Sequence, residues 1–250
     1  MASLEVSMRA DLLLVRRGIA TSRERARVMI EAGAVLVDGV VMTRPARRLA
    51  LDADITTTKS DMAWVSRAAL KLVGGLDAFP QIDPTDRVCV DIGASTGGFT
   101  EVLLARGARH VVAVDVGRDQ LHPRLAGDSR VESRQGLNAR HLVAADFALP
   151  PEIVVCDASF ISLTKVLPPV LDLAAPGAGL LALVKPQFEV GRAAIGKGGI
   201  VRDPAAAEES LARVTDWLVT EAGWHLIGTA PSPIDGHDGN REFLLAGRKG

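Results

Sequence analysis

The chain has 250 residues, 48% of them apolar and 24% charged, with a formal net charge of −1. It is long enough for one large or two modest domains, and its balance excludes disordered and collagen-like classes. Cys89 and Cys156 each sit in an apolar run without metal-ligand spacing, which argues against a disulfide framework or zinc site and fits a reducing cytosol. The opening MASLEVSMRADLLLVRRG lacks the apolar core and small-residue cleavage site of a secretory signal. Between Leu167 and Val184, the longest charge-poor stretch, Pro168, Pro169, Pro176, Gly177 and Gly179 interrupt any membrane helix. A soluble, cytoplasmic protein with no membrane partner is expected.

Near-neutrality hides an asymmetry. Residues 1–60 hold ten Lys/Arg against seven Asp/Glu, and residues 9–48 hold nine arginines against four acids. A small basic module ahead of a larger, mildly acidic one fits a polyanion-binding attachment, although arginine-rich helix faces are often merely solvated. RADLLLVRRGIA reads as a short helix ending at Gly18. Ser22 then caps RERARVMIEAG, with Ala26, Met29 and Ile30 at helical spacing and Gly33 as the stop. AVLVDGVVM follows as a hairpin turned by Asp38-Gly39. Over residues 8–58 this order resembles the S-four-type RNA-binding domain, on Arg9-Ala10-Asp11, Gly18, Ser22-Arg23, Ala26, Gly33, Val35, Val37-Asp38-Gly39 and Pro45. The resemblance implies an RNA-facing set of Arg9, Arg16, Arg17, Ser22, Arg23 and Arg27.

Residues 51–61, with Thr56-Thr57-Thr58, read as a polar connector. Ser66 can then cap a helix carrying Leu70, Val73 and Leu76, with Lys71 near its start. Strand-like RVCVDIG, HVVAVDVG, EIVVCDAS and GLLALVKPQF alternate with helical stretches, including one near 162–174. That alternation predicts an α/β fold, a Rossmann-like parallel sheet with helices on both faces and a small N-terminal α+β domain ahead of it. Asp203-Pro204 starts a helix to about Ala222, its buried side including Leu211, Val214 and Leu218. WHLIGTAP and REFLLAG supply two last strands. The expected domains are 1–60 and 66–250, joined by a linker at 61–65.

The turn Asp91-Ile92-Gly93-Ala94-Ser95-Thr96-Gly97-Gly98-Phe99-Thr100 joins the first of these strands to a helix. Its glycines would let a ligand approach the backbone at the carboxyl end of the sheet. The dinucleotide fingerprint needs glycine at 95, where Ser95 stands. With Asp91 read as the last strand residue, the turn instead suits a nucleoside carrying a cationic amino-acid tail, S-adenosylmethionine. The expected binding set is Asp91, Gly93, Ala94, Ser95, Gly97, Gly98, Phe99 and Thr100, with Asp115 at the next strand end placed for ribose hydroxyls. A tight turn with a capping acid is the plainer alternative. Gly191 to Lys197 fits seven positions of a phosphate-binding loop, but Gly198 replaces the magnesium-binding hydroxyl. It reads as a mobile glycine loop that could touch RNA through Arg192 or Lys197.

Lysine is scarce, six residues against twenty-three arginines, so Lys185 at the end of GLLALVK stands out, as does Asp157 at the end of EIVVCD. A structural ion pair would explain both; their place beside the glycine turn favours catalysis. WVSRAALKL, VDIGASTGGFTEVLL, AVDVG, CDASFISL, LVKPQFEVGR, GKGGIVRD and SPIDGHDGNREFLL resemble the TlyA family, and the match covers almost the whole chain. The resemblance implies ribosomal RNA 2′-O-methyltransferases, historically also labelled haemolysins, with an S-four-type domain joined to an FtsJ/RrmJ-like catalytic domain. It implies a Lys71, Asp157, Lys185, Glu242 tetrad, Asn138 on the adenine side, and Arg67 among the RNA contacts. Asp61-Met62-Ala63 departs from the family, which often has arginine near Met62. The expected reaction is attack of a ribose hydroxyl, of cytidine in 16S and 23S ribosomal RNA, on the sulfonium methyl, with no metal. A membrane-active haemolysin and a non-catalytic RNA-binding assembly factor are the alternatives. The broken apolar stretches oppose the first and the tetrad the second.

Overall fold

A computed structural model of the chain describes residues 7–20, 23–31, 33–57, 64–191, 195–196, 198–236 and 239–250. Ser22, Arg192, Lys197 and residues 61–63 of the expected linker lie outside them. The chain forms two units, Met1–Arg67 and Ala68–Gly250.

The smaller unit runs β1 (Ser7–Arg9), α1 (Ala10–Arg16), α2 (Arg23–Glu31), β2 (Val35–Val37), β3 (Val40–Val41), β4 (Arg48–Ala50) and β5 (Ile55–Thr57). β1 pairs antiparallel with β4, and β3-β2-β5 make a second antiparallel sheet. Asp38 and Gly39 both adopt positive φ, 52° and 76°, the backbone a two-residue hairpin turn demands. Leu13, Leu14, Ile30, Val35 and Met42 are buried in this unit's core. The threonines read as a connector are in part β5: Thr56 and Thr57 pair with Leu36 and Val35 of β2. Their β-branched side chains suit the exposed side of an edge strand, which composition alone does not separate from a loop.

The larger unit runs α3 (Ala68–Ala78), β6 (Val88–Ile92), α4 (Gly98–Ala105), β7 (His110–Asp115), α5 (Pro123–Ala126), β8 (Val131–Gln135), β9 (Ile153–Cys156), α6 (Leu163–Val166), α7 (Pro168–Leu173), β10 (Gly179–Val184), α8 (Pro186–Glu189), α9 (Pro204–Thr220), β11 (Trp224–Pro231) and β12 (Phe243–Lys249). The sheet order is β11-β12-β10-β9-β6-β7-β8, parallel from β10 to β8, with β12 antiparallel to both its neighbours. The central strands β9 and β10 are continuous apolar runs, and β6 is broken only by Asp91, because both faces of the sheet are covered. Asp203 caps α9 by accepting the Ala205 N–H, with Pro204 at the first helical position. Val214 and Leu218 of α9 are buried, while Leu211 is partly buried against the same core. The single helix expected near 162–174 is two, because Pro168 starts α7 where α6 ends.

Candidate active site

A cavity of about 490 Å³ opens at the carboxyl ends of β6, β7 and β9. Gly93, Ser95, Asp115, Asn138, Asp157 and Phe160 are among the residues lining it. The chain leaves β6 toward β7 on one side and reaches β9 on the other, so the cavity straddles the point where strand order reverses, the usual ligand crevice of an open α/β sheet. Asp115 ends β7 and accepts the Ser95 N–H through Oδ2 at 2.8 Å and the Gly117 N–H through Oδ1 at 2.7 Å. Asn138 Oδ1 accepts the Arg140 N–H at 3.1 Å.

Two expectations about the turn need correction. Asp91 does not end its strand; Ile92 does, and the Asp91 carboxylate lies fully buried behind the turn rather than in the cavity wall. There its Oδ2 accepts the N–H and the hydroxyl of Thr100, at 2.9 and 2.7 Å, tying the start of α4 to β6. Its Oδ1 has no hydrogen-bond partner among the described residues. Burial pushes the carboxyl up to about 7, against the Thr100 bonds that favour its ionised form. Secondly, the glycines answer to the protein's own packing. A Cβ on Gly93 would stand 3.0 Å from Ala158 Cα, and one on Gly97 2.3 Å from Leu125 Cδ1, with φ at +83° and +97°. Ala94, Phe99 and Thr100 are buried and Gly98 opens α4, so these residues support the loop and do not face the cavity. Ala94 lines a small recess beside Asp115 with Gln120 and Gln135.

The four residues of the expected tetrad form two buried ion pairs. Lys185, immediately after β10, places Nζ 2.6 Å from Asp157 Oδ1, and donates to Ser159 Oγ at 2.9 Å and Asp157 O at 3.2 Å. The ammonium thus donates two hydrogen bonds, and its approach to Asp157 Oδ1 is an ionic contact. Lys71, in the first turn of α3, donates to Glu242 Oε2 at 2.6 Å, both side chains being more than nine-tenths buried. Sheet register brings the two pairs to one edge: Val184 pairs with Phe243, so Lys185 and Glu242 stand one residue beyond that rung on adjacent strands. Glu242 needs Gly236 opposite it, where a Cβ would come within 2.5 Å of Oε1.

Sequence reasoning missed three residues. Ser159 holds Lys185, and its signal was a polar residue two positions past an acidic strand end. Phe160 lines the cavity with 91% exposure and a left-handed φ of 64°, its ring 5.2 Å from that of Phe188. Buried Asn240 accepts the Val201 N–H and donates to Gly199 O, fixing the end of the glycine loop to the segment before β12. Of the arginines expected to face RNA, Arg16 and Arg27 are exposed, and Arg67 is half-buried. Arg17 is spent on the backbone carbonyls of Leu51 and Ala53, and Arg9 and Arg23 both pair with Asp11.

A strand-end acid over a cavity at the sheet's switch point, with a Lys–Asp pair at its wall, is the ligand crevice of a doubly wound α/β enzyme. Residues 64–249 match the FtsJ-like methyltransferase family, and residues 8–55 match the S4 domain. A relative from Mycobacterium tuberculosis, named 16S/23S rRNA (cytidine-2′-O)-methyltransferase TlyA, is 48% identical over 95% of this chain and 88% of that protein. Hemolysin A of Brachyspira hyodysenteriae is 38% identical over 95% of this chain and 98% of its own. A solved structure with a provisional hemolysin label, from Streptococcus thermophilus, superposes with a TM-score of 0.74 at 38% identity, covering 98% of this chain and 89% of that one. The chain belongs to the TlyA family of FtsJ-like methyltransferases.

Proposed function

We propose that the chain is an S-adenosylmethionine-dependent 2′-O-methyltransferase of ribosomal RNA, acting on cytidine in 16S and 23S RNA in the cytoplasm. The observation that carries the reading is the Lys185–Asp157 pair, 2.6 Å apart, at the wall of a 490 Å³ cavity, where Asp157 itself lines the space. The cavity is of ligand-site size. The residues fit the methyl donor: Asp115 faces the cavity from a strand end, as ribose-binding carboxylates do, and Gly93 and Ser95 of the glycine turn line the same cavity. Asn138 is the adenine-side residue. No helix among the described residues is long and apolar enough to cross a membrane.

The donor supplies an activated sulfonium methyl. The protein must align a sugar hydroxyl with it and manage one proton. Lys185 turns an N–H from Ser159 toward the sugar oxygen, orienting it and offsetting negative charge as the O–C bond forms. Asp157 would hold the ammonium in place and take the hydroxyl proton, the bound donor supplying the methyl group. Lys71 and Glu242 keep the neighbouring strand ends fixed. Phe160, exposed beside this pair, offers a flat apolar face to the base of the target nucleotide.

Incubating the protein with methyl-labelled donor and unmodified ribosomal subunits, then mapping label in the RNA, tests the reading. Label at cytidine ribose is expected. Absence of label from both subunits, with donor bound, would end it.

A further inference from the structure

Asp11 is the second residue of α1, and its side chain is fully buried, while the two guanidinium groups that hold it reach the surface. Arg9, immediately before α1, donates Nε to Oδ1 at 3.0 Å and Nη2 to Oδ2 at 2.8 Å. Arg23, which begins α2, donates Nε to Oδ2 at 2.9 Å. The Leu12 N–H completes the set on Oδ1 at 2.9 Å. Arg9 and Arg23 remain 39% and 56% exposed. A guanidinium carries five N–H donors, so the carboxylate occupies two from Arg9 and one from Arg23. Arg17 differs, since its two terminal nitrogens both serve backbone carbonyls of its own unit.

A buried carboxylate is a poor device for stability alone, because an apolar side chain of similar size serves a core as well or better. What it achieves here is geometry. We propose that Asp11 is a positioning residue that locks Arg9 and Arg23 into one two-guanidinium clamp, whose remaining outward N–H groups grip adjacent phosphates of an RNA backbone. The inference rests on RNA being the partner, as proposed above, and adds how the basic unit engages it. Arginine is suited to such a clamp because its planar fork matches phosphate oxygens, whereas a lysine offers a point charge.

The proposal predicts a sign that simple charge does not. Asp11→Asn makes the unit more positive by one charge. If the arginines acted as a diffuse field, that change would tighten binding to every polyanion. If they act as an aligned clamp, ribosomal RNA is bound more weakly while heparin, which needs no register, is bound as well or better.

The experiment measures dissociation constants of the full-length protein for unmodified ribosomal subunits and for heparin across a salt series. With Asp11→Asn, subunit affinity should fall about tenfold, with a salt slope shallower by about one phosphate contact or more, and heparin affinity should not fall. Subunit affinity that is unchanged or higher overturns the clamp. Should Asp11→Asn abolish the smaller unit's unfolding transition, the Arg9→Lys, Arg23→Lys double variant decides instead. It keeps every charge and leaves Asp11 paired, and the same selective loss is expected; wild-type affinity overturns the proposal. Failure of the wild-type protein to bind subunits would instead bring down the functional reading on which the clamp stands.

Discussion

Lys185 and Lys71 each hold one acid within 2.6 Å, yet the two pairs should fail in different ways. Asp157, the partner of Lys185, lines the cavity and is 14% exposed, so Lys185→Ala leaves an acid that water can serve. Methyl transfer should drop about 10²–10⁴-fold, with the donor's dissociation constant nearly unchanged. Lys71→Ala instead strands Glu242 at 3% exposure, and an unpaired buried charge costs about 3–5 kcal/mol of stability. Isothermal titration with the donor and thermal unfolding of both variants separate the two outcomes; equal destabilisation would merge their roles. Phe160 carries a second expectation. A fully displayed aromatic ring in a left-handed backbone is held at a cost of about 1–2 kcal/mol, and base stacking returns about 1–3 kcal/mol. Phe160→Ala should therefore lower kcat/KM for ribosomal subunits about tenfold or more while donor binding holds, and Phe160→Trp should restore it. Were Phe160→Ala to turn over subunits normally, the ring would have no base to meet. Lys185 and Asp157 were legible because each closes an apolar strand-like run, whereas Lys71 and Glu242 stood out only through the resemblance to the TlyA family. Ser159 and Phe160 were not legible, because their importance comes from where a loop leaves Lys185 Nζ and the cavity rim.

At the scale of elements, the turn after β6 was legible as a glycine turn at the carboxyl edge of the sheet, but not the packing that its glycines also answer to. Spacing shows that a Cβ is avoided without showing what it would strike. Here it strikes the chain itself, at Ala158 for Gly93 and at Leu125 for Gly97. Gly177 supplies the comparison, since its φ is +74° and a Cβ there meets nothing within 4 Å. Gly177→Ala should cost only the left-handed strain, about 1–2 kcal/mol, whereas Gly93→Ala adds a clash with backbone of about 1–3 kcal/mol. Urea unfolding midpoints should rank wild type above Gly177→Ala and that above Gly93→Ala, and donor affinity should weaken in the last alone. Equal midpoints for the two variants would show that the β6 and β9 loops give way freely. Elements that escaped the sequence share one property. β8, Val131–Gln135, is a polar edge strand, and two of the three residues of β5 are threonine; neither carries the apolar run that marks the buried strands. α6 and α7 look continuous in hydropathy, and only the rule that proline disrupts a helix interior separates them.

The two units, each with buried core residues of its own, imply two unfolding transitions, and Asp11 in the smaller and Asp91 in the larger pull in opposite directions with pH. In the smaller unit, the Arg9 bonds to Asp11, reinforced by Arg23, hold its carboxyl down at about 2. Its stabilisation is complete above the unfolded value near 3.9 and disappears as pH falls toward 2, so this unit should be level between pH 5 and 7. In the larger unit, burial holds Asp91 up at about 7 and also raises Glu189. Between about pH 4 and 7 the native state keeps a proton that the unfolded chain has released, so stability falls as pH rises. A displacement of that size in a fully buried group is worth on the order of 2–4 kcal/mol, or roughly 5–10 °C in Tm for a unit of this length. Scanning calorimetry of the full-length protein from pH 3 to 7.5 should show the smaller unit's transition collapsing at the acid end and the larger unit's sinking toward neutrality. Asp91→Asn should flatten most of the second trend, because the amide oxygen can still accept from Thr100 and carries no proton to lose. Saturating S-adenosylmethionine should raise the larger unit's transition alone, by about 2.7 kcal/mol at a hundredfold excess over Kd. A larger-unit transition that climbs between pH 5 and 7 without ligand would mean that Asp91 ionises freely in the fold, and the assignment of the trend to its burial would have to be abandoned.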